Sequence, residues 1–574
     1  MKASILRLAL PAIFVSCGLC GAQTVSFEDA VLRITGAGCM EELDESVVER
    51  YRILHDHPLD LNSAPRPRLL SSGLLTPWQT AMLLDLRNRT GDILSYAELS
   101  LLEGLPSDFT EALRLFTVLR TSAPAAHTEY RRPSHDFLLK ASARSALPGD
   151  GIQTCYGLKY SMTLGERAEL HWASRTTYDS PGFTAGKFSV AYNGRSLPVK
   201  LLLGEYNARF GQGLAAWSGF SLSGFSSVSS FRRNGTGLSA TSSFSGGLHG
   251  AAAEVDVGKW ALSAAYSHKG LLGLANVTRY GRTFTAGASA MFSKSGGAVA
   301  SADFRAGFPG LSFFGEAAMD FRHHTPAALS GAVWIPSYGY RLAVLARWYP
   351  AAFSSPLSGA VRSSTKVSDE RGVSAGLQFP WLSATFDLSD HPSKEGMQCK
   401  SVLVLSKEFR YGADSSGLSV KPSLRVAARY RPDETLPLRT DLRGDLALSW
   451  GAARLNARYN ALWYRDMAWL WYVEPGVVLP SSGGRPTLNL WCRLTLFKVD
   501  DWDDRIYSYE RDAPGSFNVP AYYGRGYSAS LYSAVRSASG RHRLCMRLSL
   551  VDYPWMEKEK PGRAEARVQY QLCL

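Results

Sequence analysis

Beyond its first two dozen residues the chain lacks any uninterrupted apolar run of about 18 residues, so no helix is available to cross a membrane and any crossing must be made by strands. Cysteine is scarce and scattered. Apart from Cys17 and Cys20 near the start, Cys39, Cys155, Cys399, Cys492, Cys545 and Cys573 show no C-x-x-C or histidine-linked spacing, which argues against a metal site and against a disulfide framework. Catalytic signatures are missing too: there is no G-x-S-x-G elbow, no phosphate-cradling Walker loop and no H-E-x-x-H. His55-Asp56-His57 and His323-His324 lack a third ligand at metal spacing and read as solvated loop histidines, and Asp503-Asp504 reads as a solvated turn. With no nucleophile and base in a recognisable pairing, neither an enzyme nor a cofactor is expected.

What the chain does hold is enough for a large structured body: 574 residues, 45% hydrophobic and 20% charged, with a mean hydropathy of −0.11. Met1-Lys2-Ala3-Ser4-Ile5-Leu6-Arg7, the apolar run Leu8 to Leu19 and the small-residue exit Cys20-Gly21-Ala22 have the three parts of a secretory signal, so residues 1–22 are expected to be a signal peptide. A lipoprotein start at Cys17 is the alternative, and Phe14-Val15-Ser16 fits it poorly. Charge is divided unevenly. Residues 23–134 carry eleven Arg, no Lys and sixteen acids, about −5, while residues 135–574 carry about +16.

The acidic part reads as helical. In the region 23–58, Leu43, Val47, Val48, Tyr51 and Leu54 recur at spacings of three and four. In 59–120, Leu69 and Leu70 mark a short helix and Gly73 a turn. Thr76-Pro77 follows as N-cap and first helical position, Gly91 stands where a left-handed C-cap would sit, and Ser95 to Glu98 has capping-box spacing. A last helix runs from the Gly104-Leu105-Pro106 turn to Phe116. Two pairs of short helices, each joined by a glycine-containing hairpin, resemble a tandem helix-hairpin-helix domain. The run Asp60-Leu61-Asn62-Ser63-Ala64, Leu83-Leu84-Asp85-Leu86-Arg87, Gly91-Asp92-Ile93-Leu94-Ser95 and Glu103-Gly104-Leu105 is similar to the form found in competence-type DNA receptors.

That resemblance implies a hairpin whose backbone N–H groups could meet a phosphate. The contact candidates, for DNA or for a protein partner, are Gly73, Leu75, Thr76, Gly104, Arg66, Arg68, Arg87 and Arg89. DNA is not the favoured ligand: Ser71-Ser72-Gly73-Leu74-Leu75 lacks a second glycine, Glu103 and Asp108 flank Gly104, and six Arg face seven acids between Leu59 and Arg120.

After a Pro/Ala/Ser linker, residues 121–134, period-two alternation takes over to the C-terminus, residues 135–574. Leu455, Ala457, Tyr459, Ala461 and Trp463 alternate with polar residues, as do Leu488, Leu490, Cys492, Leu494 and Leu496, and Leu544, Met546, Leu548 and Leu550. A soluble antiparallel sandwich would alternate likewise. Stretches of about ten residues, aromatics at stretch ends (Arg347-Trp348-Tyr349-Pro350, Trp463-Tyr464, Trp469-Leu470-Trp471-Tyr472) and a last stretch alternating from Arg563 to Leu574 favour a membrane barrel, in which roughly 20 to 24 strands would fit. Gly211 to Gly237, rich in Gly, Ser and Phe, reads as a long loop that either folds into the pore or lies outside it.

Taken whole, and with Gly204-Glu205-Tyr206-Asn207-Ala208-Arg209-Phe210-Gly211-Gln212-Gly213-Leu214 and Asp504-Arg505-Ile506-Tyr507-Ser508-Tyr509-Glu510, the chain resembles the helix-hairpin-helix outer-membrane proteins of Bacteroidetes-type bacteria. The resemblance implies architecture: a small all-α N-terminal domain in the periplasm, then a large antiparallel transmembrane β-barrel in the outer membrane. Lipid, the outer-membrane assembly machinery and a periplasmic protein are the partners expected. If the apolar faces meet lipid, Arg425, Arg429, Arg454, Arg458, Arg493, Arg543, Arg547, Arg563 and Arg567 must face the lumen, either to draw anions or to pair with acids such as Asp441, Asp445 and Glu565. The expected function is a channel or transport component with a docking domain; the alternative is a DNA-uptake protein.

Overall fold

The computed structural model describes residues 25–574 except 44, 103–104, 121–132, 148–150, 181, 195–197, 220–224, 242–246, 282, 309, 337–338, 413–416, 480–484, 515 and 557–559. The expected signal peptide, most of the expected linker and Gly104 lie outside the described residues.

Six helices come first: α1 (Phe27–Thr35), α2 (Glu45–Asp56), α3 (Arg66–Ser72), α4 (Pro77–Thr90), α5 (Tyr96–Ser100) and α6 (Ser107–Leu113). Their caps follow from local chemistry. Ser26 caps α1, with Glu28 and Asp29 in the first turn beside the helix's positive end. Thr76 and Gln79 form a reciprocal capping box on α4, with Pro77 at its first position. Gly73 ends α3 in a left-handed conformation, φ +71°. Gly91 departs from expectation: φ is positive, but ψ of −141° is not that of a left-handed cap.

Two side chains tie the hairpins together. The Asp60 carboxylate accepts from the Asn62 and Arg120 N–H groups and from the Ser63 hydroxyl. The Asn62 amide donates to the carbonyls of Ile93 (3.0 Å) and Arg120 (2.9 Å) and accepts from Ile93 N–H (2.9 Å). Leu59–Asp60 and Thr117–Val118 pair in parallel and close the domain around a core that includes Leu61, Leu69, Leu83, Leu99, Leu113 and Phe116.

From Ser134 onward the sheet is one closed, antiparallel barrel. Gly237–Ala240 and Phe409–Tyr411 are short pieces that extend neighbouring strands, which leaves 24 strand positions, within the range expected from the sequence. Closure is made by Ser134–Leu147 against Gly562–Cys573, and His135 and Leu574 exchange both backbone hydrogen bonds at the seam. Both ends of the barrel segment lie at the same rim, the near end. The connections there are short, whereas the far end carries the long ones, 210–236, 350–369 and 500–523.

The alternation has a direct physical reading. In the strand Thr487–Val499, Leu490 and Leu494 are 40% and 46% exposed on the outer wall, while Arg493 and Thr495 are 4% and 1% exposed on the inner one. The outer wall is a continuous apolar band that includes Leu262, Val344, Leu531, Leu544 and Leu548, with Trp260, Phe284, Trp334, Trp450 and Trp463 at strand ends.

Gly204 shows what the wall cannot tolerate. Its φ is +90°, and a Cβ there would stand 2.2 Å from the Phe188 carbonyl oxygen. Gly204→Ala is expected to lower the temperature at which the compact, heat-modifiable gel form is lost. Gly444→Ala, at a position with nothing within 4 Å, should leave it unchanged.

Candidate functional site

The helical domain is lodged in the near-end mouth of the barrel, against strands around much of the wall. The reason is electrostatic. Glu41 meets Arg458 at 2.6 Å and Arg443 at 3.6 Å. Glu42 faces Arg425 at 3.9 Å, and Asp56 faces Arg543 at 3.4 Å and the Gln571 amide at 3.3 Å. Glu49 pairs with Lys159, and His57 contacts Asp136. On the opposite side the polarity reverses: Arg68 pairs with Glu166 (3.2 Å) and Glu169, while Arg66 donates to the Gly258 carbonyl and lies 3.7 Å from Asp256. Taking such charges out of water is costly unless each finds a partner, so the fit is specific as well as adhesive.

The far-end loops come down into the lumen, and two of them, 210–236 and 500–523, meet the domain. The described residues of segment 210–236 fold into the lumen, the first of the two alternatives left open by the sequence. Gly211 and Gly213, at φ +58° and +86°, turn the backbone so that the N–H groups of Gln212, Leu214 and Ala215 converge on the Glu316 carboxylate at 2.7, 3.1 and 3.3 Å. Phe225, Val228 and Phe231 then bury against wall residues such as Phe314, Leu345 and Tyr349. Segment 350–369 is held in the same manner, by Glu370, which accepts from Ser363 and Ser364 N–H. Glu370 in turn contacts Arg347, whose guanidinium also spans Asp387 at 2.7 and 3.0 Å. The two loops bond to each other through Trp217 N–H to Leu357 O (2.7 Å) and Gly359 N–H to Gly213 O (2.9 Å).

The third loop, 500–523, bridges wall and helical domain. Arg493 donates to the Tyr509 carbonyl (2.8 Å), Arg547 pairs with Glu510, and Arg567 pairs with Asp512. On its other side Tyr509 N–H donates to Glu41 (3.0 Å), Arg511 meets Glu28 (3.0 Å), and Tyr509 and Phe517 pack on the domain core. Asp504, expected in a solvated turn, is fully buried: its carboxylate accepts from the N–H groups of Arg465 (3.2 Å) and Asp466 (2.9 Å) and pins the loop's entry.

The remaining candidates fall as follows. Arg425 also faces Asp441 (3.7 Å), Arg429 pairs with Glu434 (2.7 Å), Arg458 with Asp445 (2.6 Å) and Arg567 with Glu565 (2.7 Å). Arg493 also pairs with Glu474 (2.9 Å), Arg454 donates to backbone carbonyls, and Arg563 stands exposed at the far rim. Arg87 turns inward to the Ala64 carbonyl (2.7 Å) and Arg89 pairs with Asp85 on an exposed helix face. The Gly73 carbonyl is taken by the Tyr51 hydroxyl (2.9 Å), Leu75 is buried, and Thr76 is occupied as a cap.

His55 and His57 are half-buried rather than solvated: His55 packs edge-on against Phe27 and Phe116 within the domain, and His57 contacts Asp136 of the wall. Among the described residues no group of three or more His, Cys, Asp or Glu stands at metal-holding distance. Sequence reasoning missed Arg347, Arg443, Glu316 and Glu370. The glycine pair at 211 and 213 was the signal for Glu316's partner; nothing local marked the others.

No protein-family model matches the chain, and no curated protein does. Among solved structures, OpdL of Pseudomonas aeruginosa aligns at 11% identity and a TM-score of 0.30, covering 77% of this chain and 98% of that one. The P pilus usher (PapC) translocation pore aligns at 10% identity and 0.38, covering 77% and 99%. OccAB4 of Acinetobacter baumannii aligns at 8% identity and 0.31, covering 78% and 99%. These likenesses are loose, and the fold rests on the strand pairing described above.

The docking has a pH signature. Burial by itself would raise the Glu41 carboxyl, but Arg458, Arg443 and the Tyr509 N–H hold it well below the usual carboxylate range. Asp56 is likewise desolvated and likewise held low, by His55, Arg543 and Gln571. Carboxyls depressed on docking stabilise the docked state fully above their free pKa of about 4 and lose that contribution as pH falls through the docked value. Protease access to the helical domain in the intact barrel is therefore expected to rise as pH drops below about 4. At neutral pH Glu41→Ala should produce the same opening, since removing one partner of a buried pair costs about 3–5 kcal/mol.

Proposed function

We propose that the chain is a non-enzymatic outer-membrane transport component whose barrel is closed by its own N-terminal domain and far-end loops, and which conducts when that domain is displaced. The observation that carries this reading is the set of ion pairs from Glu28, Glu41, Glu49 and Asp56 to cations around the inner wall and on the loop 500–523. Placement in the membrane is supported by the apolar outer band with aromatics at strand ends, since inward-facing arginines on the same strands would cost roughly 2–4 kcal/mol each if turned to lipid. The near end then faces the periplasm, where short turns belong.

In this reading α3–α4 and α5–α6 are the two helix-hairpin-helix units, used for packing and docking. A periplasmic partner would engage the exposed leucines Leu94 and Leu101, 84% and 85% exposed, which flank α5 at its two ends. The DNA alternative draws no support from the geometry: Arg66 and Arg68 are spent on the barrel, and the hairpin backbone at Gly73 is covered by Tyr51 and Arg50.

Planar-bilayer recording tests the proposal. The intact protein is expected to stay closed at neutral pH, and a Glu28→Gln/Glu41→Gln/Asp56→Asn variant that still migrates as a closed barrel is expected to open in long, high-conductance events. Steady wide-pore conductance from the unaltered protein would overturn it.

A further inference from the structure

Most luminal cations described above meet a carboxylate, but one group does not follow that rule. Arg232 sits at the lower tip of segment 210–236, immediately after the turn Val228–Phe231, whose Val228 and Phe231 are buried and pack over Gly376 of the wall. Its guanidinium is in electrostatic reach of Arg305 and Arg341, and the hydrogen bond it donates goes to a neutral group, the Ser312 hydroxyl, at 3.3 Å. Arg305 likewise donates to a neutral group, the Asn234 side-chain carbonyl, at 2.8 Å. The strands put these residues on one shelf. Arg305 lies near the end of Gly297–Phe308, Ser312 near the start of Leu311–Asp320, and Arg341 opens Arg341–Tyr349, all on the inner face at the near rim.

The surroundings do not neutralise the shelf. Asp303 is the carboxylate acting on Arg305, and none acts comparably on Arg232 or Arg341. Burial and the two neighbouring cations push the Arg232 guanidinium well below its ordinary value, the opposite of what a paired arginine shows. The N-terminus of α4 approaches the same place, with the Trp78 indole nitrogen 3.5 Å from where a Cβ on Gly307 would stand, and the dipole of that helix adds positive potential. All three arginines keep partial solvent exposure.

We propose that Arg232, Arg305 and Arg341 form a binding site for a multivalent oxyanion, with phosphate monoesters as the chemical class. Guanidinium forks gathered on one inner shelf suit an oxyanion, which accepts paired N–H bonds and supplies the charge the shelf lacks. The site stands on the inner wall and takes a dissolved ligand; it does not depend on whether the barrel conducts.

Binding of a simple phosphate monoester, phenyl phosphate, to the intact, detergent-solubilised protein tests this by calorimetry, with chloride at matched ionic strength as the control. Saturable uptake of about one per chain is expected, weakened about tenfold or more in Arg232→Gln, a loop substitution that leaves every strand intact. Arg232→Lys should recover only part of the affinity, since the charge returns without the fork. In anion-free buffer Arg232→Gln should also raise the thermal midpoint by relieving like-charge repulsion. Binding no tighter than chloride, or unchanged in Arg232→Gln and Arg341→Gln, would overturn the assignment. Because the readout is binding and not current, its failure is distinct from failure of the transport reading.

Discussion

A closed sheet of 24 strands encloses more space than its own inward side chains fill, and that surplus interior governs everything else in the molecule. Small barrels pack their lumens with residues from the wall. This chain fills its lumen with itself, from two directions: a helical domain enters at the near rim and three long connections descend from the far one. Each intruding backbone carries polar groups that water can no longer satisfy, so each needs a partner on the wall.

The wall supplies those partners in a consistent manner. Carboxylates hold loop N–H groups where the loop offers a concave backbone, as Glu316 does for Gln212 to Ala215 and Glu370 for Ser363 and Ser364. Arginines hold carbonyls or acids where it does not, as Arg493 does for Tyr509 and Arg567 for Asp512. The helical domain is bound by the same means but with mixed polarity, its acids on one flank and Arg66 and Arg68 on the other. Mixed polarity gives it a single orientation, because rotation about the barrel axis would set like charges against each other.

Much of this was legible in the sequence. Period-two alternation translates directly into inner and outer walls, so the facing of Arg493, Arg547 and Leu494 could be read from position alone, and the cap at Thr76 and the turn at Gly73 are local chemistry that three or four residues decide. The seating of the helical domain was not read, because Glu41 and Arg458 are 417 positions apart and no window spans them. Yet a trace was present: a lysine-free acidic segment ahead of a strongly basic barrel is the composition of two bodies that attract. Asp504 was misjudged for a related reason. A carboxylate in a turn looks hydrated until another hairpin, here Arg465 and Asp466, brings its N–H groups to it.

The position of the seam has a consequence for biogenesis. The strand that follows the helical domain pairs with Gly562–Cys573, so the cylinder cannot shut until that strand has been made, after every other strand of the barrel, whereas the domain is made before any of them. With three loops crowding the opposite opening, the domain has one route in and the same route out. Its anchorage at Ser134, on the rim it passes through, keeps it tethered to the doorway however far it travels.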